Sequence, residues 1–177
     1  MERMPAVSTS AYVNESASII GDVRIGERVY VAPDVSLRTD KATPIIIGDE
    51  CNIQECAVFH GILGSTIIPE RRILFAHGAI IHGPIAIKDQ CFLGFNSVVH
   101  ASNLGKGCFV GHGAIAIGVN LADGRFVPHG ALVDSQSKAD ALEFVPEDLL
   151  HFNDEAIKVN VEFAVTYGVR RKSCVGI

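Results

Sequence analysis

The chain has 177 residues, 48% of them hydrophobic and 20% charged, with a formal net charge of −5. That length suits one domain with a continuous core, and the composition is that of a folded globular chain rather than a disordered one. The acidic balance, with no basic run longer than Arg170-Arg171-Lys172, argues against a nucleic-acid surface, and no apolar run approaches the ~20 residues that span a bilayer.

The N-terminal stretch MERMPAVSTSAYV lacks a signal-peptide core, which predicts a cytoplasmic chain with no membrane attachment. From about residue 13 to 133 the sequence repeats with a period of six. Aliphatic residues recur at Ile19, Ile25, Val31 and Leu37, then at Ile47, Ile53 and Phe59. They return at Phe75, Ile81, Ile87, Leu93 and Val99 and, after a one-residue deletion, at Leu104, Val110 and Ala116. Four residues after each stands a small or β-branched side chain, such as Val23, Ala57, Cys91 or Ala114. This pattern predicts an all-β fold, a left-handed parallel β-helix over residues 1–134. Each hexad makes a strand and a corner, and three hexads close one triangular coil. The aliphatic residue points inward and the small residue fits near the corner.

Cys51, Cys91 and Cys108 occupy the small inward slot and read as core packing. Cys56 and Cys174 complete an odd set of five without a CxxC pair, as expected of reduced thiols in a cytosolic protein. Cys174, in the tail, is the most reactive candidate. Glycines such as Gly26, Gly48, Gly94, Gly105 and Gly111 are expected to serve corners that need positive φ. No GxxxxGK[ST] phosphate loop is present. Two interruptions, Thr39–Pro44 and His60–Leu74, read as loops. Residues 135–177 read as a connector and a C-terminal helix belonging to the same domain. There Phe152, Ala156, Val159, Phe163 and Tyr167 form an amphipathic stripe expected to pack along the outside of the prism.

The hexad register also orients polar side chains. Arg38, His60, His82 and His100 each follow an inward residue, so they point outward. Positions 38, 60 and 82 are 22 apart, one 18-residue coil plus four residues of insertion, and 82 and 100 are 18 apart. The four should form one column, ~4.8 Å between neighbours. His77 lies on the preceding side of the triangle. Five extended residues separate it from His82, roughly 16 Å at ~3.3 Å each, whereas zinc–nitrogen bonds are about 2.0–2.1 Å. A three-histidine site therefore needs His77 from a neighbouring chain, and threefold packing of prisms would repeat it symmetrically. Gln54 lies about one coil before His77 and should enter from the same chain.

Blander readings stand beside these. An outward histidine can be an idle surface residue, Arg38 and Asp40 a structural ion pair at an interface, and Gln54 or Asn52 a laddered amide. His112, His129 and His151 read as surface residues.

At these residues the chain resembles the γ-class carbonic anhydrases. The matching stretches are LRTDKATPIIIGDECNIQECAVFHG, AHGAIIHGPIAIKDQCFLGFNSVV, IGVNLADGRFVPHGALVDSQSKADAL and NDEAIKVNVEFA. CFLGFNSVV and VFHG are similar to the carbonic-anhydrase-like domain of the carboxysome assembly protein. The ordered set Arg38, Asp40, Asn52, Gln54, His60, His77 and His82 is more specific than the hexapeptides. The resemblance implies a homotrimer with Zn2+ between subunits, Fe2+ or Co2+ being alternatives, held by His60, His77 and His82. It implies hydration of CO2 to bicarbonate and a proton, with Gln54, Arg38 and Asp40 as catalytic residues. It places Asn160 at the CO2 pocket, so that Gln54, Asn160 and Arg38 bind substrate. The archaeal enzyme has a glutamate where Lys41 stands and a proton-shuttling glutamate about where Leu63 falls. His100, with an unperturbed pKa of about 6.5, is the replacement proton carrier by register, and Glu70 a weaker one. The alternatives are a structural or assembly module of the same fold, which would place the chain in a bacterial microcompartment, and a hexapeptide acyltransferase.

Overall fold

The computed structural model describes residues 4–40 and 43–174, from residue 169 onward as backbone only. The chain winds into a parallel β-helix bounded by three seven-stranded sheets. The first face runs from Ala6–Val7 to Asn120–Leu121, the second from Tyr12–Val13 to Phe126–Val127, and the third from Ser18–Ile20 to Leu132–Val133. Along each face every strand pairs with its counterpart one coil away, as in Ile81 beside Phe59 and Val99.

The hexad rule accounts for the core. Leu37, Ile53, Phe59, Phe75, Ile81, Leu93 and Val99 are fully buried, stacked coil on coil. Cys51, Cys91 and Cys108 are buried in the small slots, whereas Cys56 is an exposed corner residue. Burial pushes the Cys51 thiol up to about 12, which keeps it unreactive.

The glycines divide into two groups that the sequence reading merged. Gly107, Gly113, Gly118, Gly124 and Gly130 take positive φ at corners. Earlier corners put Arg28, Asp34, Glu50 and Cys56 in the same left-handed region. Gly48, Gly94, Gly105 and Gly111, expected at positive φ, serve close coil-to-coil approach instead. A Cβ on Gly48 would lie 1.9 Å from the Glu70 carbonyl oxygen.

The expected loop at 60–74 is shorter than read. Strand Ile67–Pro69 lies within it, pairing with Ile85–Ile87, and Ile67 and Pro69 face inward. The excursion is confined to residues 62–66. The connector after residue 134 contains helix α1, Gln136–Asp140, whose Gln136 bonds the last strand of the first face at Asn120.

Helix α2, Glu147–Cys174, covers the second face, burying Ile157 against Leu74, Ala76, Phe92 and Phe109. Its buried line runs through Asn153, Ile157, Asn160 and Ala164, offset from the stripe read in the sequence. Phe152, Val159, Phe163 and Tyr167 are exposed by 38–50%. Phe152 and Phe163 lie along the helix flanks, where Phe152 meets Phe92 and Phe163 meets Tyr30. Among the described residues no helix is long and apolar enough to cross a membrane.

Candidate functional site

The third face carries the outward column. Ile20, Arg38, His60, His82, His100 and Ile117 are successive register partners across five strand pairs. The His60 and His82 rings stand edge to face with centroids 5.0 Å apart, and His82 and His100 follow at 4.9 Å. Arg38 donates to His60 Nε2 at 2.7 Å, and Asp40 Oδ1 lies 3.4 Å from the same nitrogen. His100 Nδ1 is 3.2 Å from the His82 carbonyl oxygen, so a proton there donates to the backbone that carries His82.

His82 is a half-buried member of the column. Its Nδ1 is buried with no hydrogen-bond partner. Burial first, then the neighbouring His100 and His60, lowers its pKa below the ordinary value, which keeps the ring neutral at pH 7 with a lone pair available. An orphaned buried nitrogen beside a second imidazole fits a soft-to-borderline metal ion.

His77 is elsewhere, at the corner after the second face. Its Nδ1 lies 2.7 Å from Glu55 Oε2, and its ring is stacked at 5.3 Å on Phe95. The contact is at ion-pair distance without hydrogen-bond geometry, since Glu55 Oε2 has no hydrogen-bond partner; with a carboxylate beside Nδ1, Nε2 is the nitrogen open to a metal, as is common for metal-bound histidines. Among the described residues, no group of three His, Cys, Asp or Glu side chains within one chain could hold a metal. Neither Glu55 nor Phe95 was singled out in the sequence. The register that aligns 38, 60 and 82 also aligns 55, 77 and 95, but the chemistry changes along that column.

Gln54 sits at the same corner as His77. Its Nε2 donates to Asn52 Oδ1 at 2.5 Å and, at 3.4 Å, to Asn160 Oδ1 reaching down from α2. Both acceptors bind the amide nitrogen, so neither takes up Gln54 Oε1. Asn52 is 1% exposed and its Nδ2 is a buried donor without an internal partner. One chain thus offers two half-sites: a corner with Gln54, Asn52, Asn160 and His77, and a column with Arg38, Asp40, His60 and His82.

The remaining candidates are placed as follows. Of the histidines read as surface residues, His112 stacks on Phe95 at the His77 corner and His129 stacks on His112, while His151 is exposed on α2. Leu63, at the tip of the 62–66 excursion, is 73% exposed, and Glu70 accepts from the Asp89 amide. Lys41 and the Cys174 side chain lie outside the described residues.

No protein-family profile matches the chain. It is 34% identical to a carbonic anhydrase of Methanosarcina thermophila over 92% of this chain and 74% of that protein. It is also 34% identical to the carboxysome assembly protein CcmM of Nostoc sp., over 91% of this chain and 31% of that one. The chain therefore spans under a third of the assembly protein. Among solved structures, a hexapeptide transferase family protein of Anaplasma phagocytophilum superposes with a TM-score of 0.66 over 92% of each chain at 24% identity. A Bacillus cereus protein named as an acetyltransferase reaches 0.71 at 22% identity, over 93% of this chain and 92% of that one. At those identities the likeness shows the fold alone. The archaeal relative spans most of both chains, and with the assembly protein's matching region it decides the family: this chain belongs to the γ-class carbonic anhydrases.

Proposed function

We propose that the protein is a zinc-dependent carbonic anhydrase whose metal is held between subunits of a trimer, by His60 and His82 of one chain and His77 of the next. The observation that carries this reading is the separation of the three imidazoles into two half-sites. His82 has a buried, unpartnered nitrogen on one, and His77 has a carboxylate-backed ring on the other. The third face supports the assembly. Beside the histidine column it bears an outward apolar column, with Val58 38%, Ile80 41% and Leu132 48% exposed, suited to a second copy of the same surface system. Ferrous iron or cobalt fits the same donors.

When bound, such a metal lowers the pKa of water to about 7. The chain's own groups do the rest. Gln54 Oε1, its amide fixed by Asn52 and Asn160, accepts a hydrogen bond from the reacting water and so orients it. Arg38, beside His60, contributes positive charge where bicarbonate develops. His100, next in the column, is placed to carry the proton away.

The test joins metal analysis to stopped-flow CO2 hydration on protein prepared reducing and anaerobic. About one metal per chain is expected, lost in His77→Ala and in His82→Ala. Mixing those two variants and reassembling them should restore a fraction of sites, since one intact chain face can meet the other. Full metal content without hydration above the buffer rate would favour the second reading, an assembly module. The exposed Leu63, where an acidic shuttle is lacking, is the observation that speaks for it.

A further inference from the structure

We propose that Phe95 is a positioning residue for His77: a stack of rings along one corner holds the His77 imidazole in the attitude that metal binding requires. The proposal rests on the reading of His77 as a metal ligand.

His77 is an exposed side chain, 55% accessible, and an exposed imidazole ordinarily samples several rotamers. Glu55 lies beside the Nδ1 edge at ion-pair distance without a hydrogen bond and leaves the ring free to turn. Phe95 removes this freedom by lying on the ring face, 25° from parallel. Phe95 is itself 43% exposed and would be mobile alone. On its other side His112 stacks at 4.3 Å and 10°, and His129 stacks on His112 at 4.8 Å and 18°. The backbone pins the outer two rings. The Phe95 N–H donates to His112 Nδ1 at 3.0 Å, and the His112 N–H donates to His129 Nδ1 at 2.8 Å. Glycines bring the coils close enough for this. A Cβ on Gly94 would stand 2.8 Å from His112 Nδ1, and one on Gly111 2.6 Å from the His129 nitrogen. The stack thus starts on two rings held by main-chain hydrogen bonds, His129 and His112, and passes through Phe95 to end on His77.

This stack is distinct from core packing. It lies outside the prism, on a corner, and its members bury little against the inward aliphatic ladder. Outer groups that orient a ligating histidine change metal affinity by about 10–100-fold when removed, and an apolar stack belongs at the low end of that range.

The test is a Zn2+ titration of the metal-free assembled protein, together with NMR of the histidine ring protons in the same sample. Phe95→Ala should weaken zinc binding about tenfold and remove the ring-current displacement of the His77 protons. Phe95→Tyr should restore both, and His112→Ala should cause a smaller loss in the same direction. Phe95→Leu keeps much of the volume without the aromatic face and is read in place of the alanine variant if that one folds poorly; it should also lose about tenfold. Wild-type affinity and wild-type His77 shifts in the leucine variant would overturn the proposal. His77→Ala separates the two readings. Lost binding there, with unaltered binding in both Phe95 variants, removes the positioning role and keeps His77 as a ligand. Unaltered binding in His77→Ala overturns the ligand reading itself.

Discussion

Replacing Ile157 with alanine tests how α2 is seated and what the seating does for the site. Ile157 is fully buried between the helix and the second face, among Leu74, Ala76, Phe92 and Phe109. Alanine removes three carbons, worth about 2.4 kcal/mol at ~0.8 kcal/mol each. The cavity left behind raises the cost to about 3–4 kcal/mol, within the 2–5 kcal/mol typical of such changes. Val159, two residues on, is 48% exposed, and Val159→Ala should cost less than about 1 kcal/mol. Urea unfolding of both variants measures the contrast. Asn160 lies one turn beyond Ile157 and touches Gln54, so a loosened helix should also release that amide. Ile157→Ala should therefore lower CO2 hydration while metal content stays at the wild-type level. Equal destabilisation by the two variants, or a larger effect at Val159, would refute this seating of the helix.

Four further outcomes follow from the same geometry. Gly48→Ala puts a Cβ against the backbone carbonyl of Glu70, which no rotamer change relieves, so it should cost about 3 kcal/mol or more in denaturant unfolding. Gly64→Ala meets nothing within 4 Å and carries only the strain of φ +78°, about 1–2 kcal/mol. Arg28, with Arg72 and Arg71, holds the Glu50 carboxyl below its ordinary pKa. Because the folded value is depressed, the stabilisation is present above the unfolded pKa of about 4.3 and is lost as pH falls through the folded value. Glu50→Gln should thus lower the melting temperature at pH 7, with the gap closing below about pH 4. Finally, His100→Ala should slow CO2 hydration in dilute buffer and recover in concentrated imidazole; unchanged turnover in dilute buffer would remove His100 as the proton carrier.

Much of the prism was legible because a six-residue period fixes inward and outward positions together. That alone aligned Arg38, His60, His82 and His100, and the structure pairs them in that order. It also separated His77 from them. The helix phase was not legible, since two of the four buried positions are asparagines. Asn153 is retained by a bond to the Gln90 carbonyl, and Asn160 by Gln54, so hydropathy pointed instead to the aromatic residues on the flanks. Strand Ile67–Pro69 was hidden by the irregular sequence around it. Glu55 and Phe95 were missed for a different reason. They share a column with His77, yet a carboxylate, an imidazole and a phenyl ring in succession have no common chemical signature until the coils are stacked.

The pairing of each strand only with the coil above and the coil below gives the molecule a consequence for its length. The two half-sites occupy the coils that carry residues 38, 54–60 and 77–82, and α2 is tied to them through Asn160. Beyond them the coils around residues 103–133 supply no ligand, and their part in the site is mechanical, through the His112 and His129 rings beyond Phe95. In a structure that grows by nearest-neighbour addition, each rung rests on the one before it. A whole coil removed there would shorten the rod and leave the ligands at their original height, but it would take away rings that steady His77.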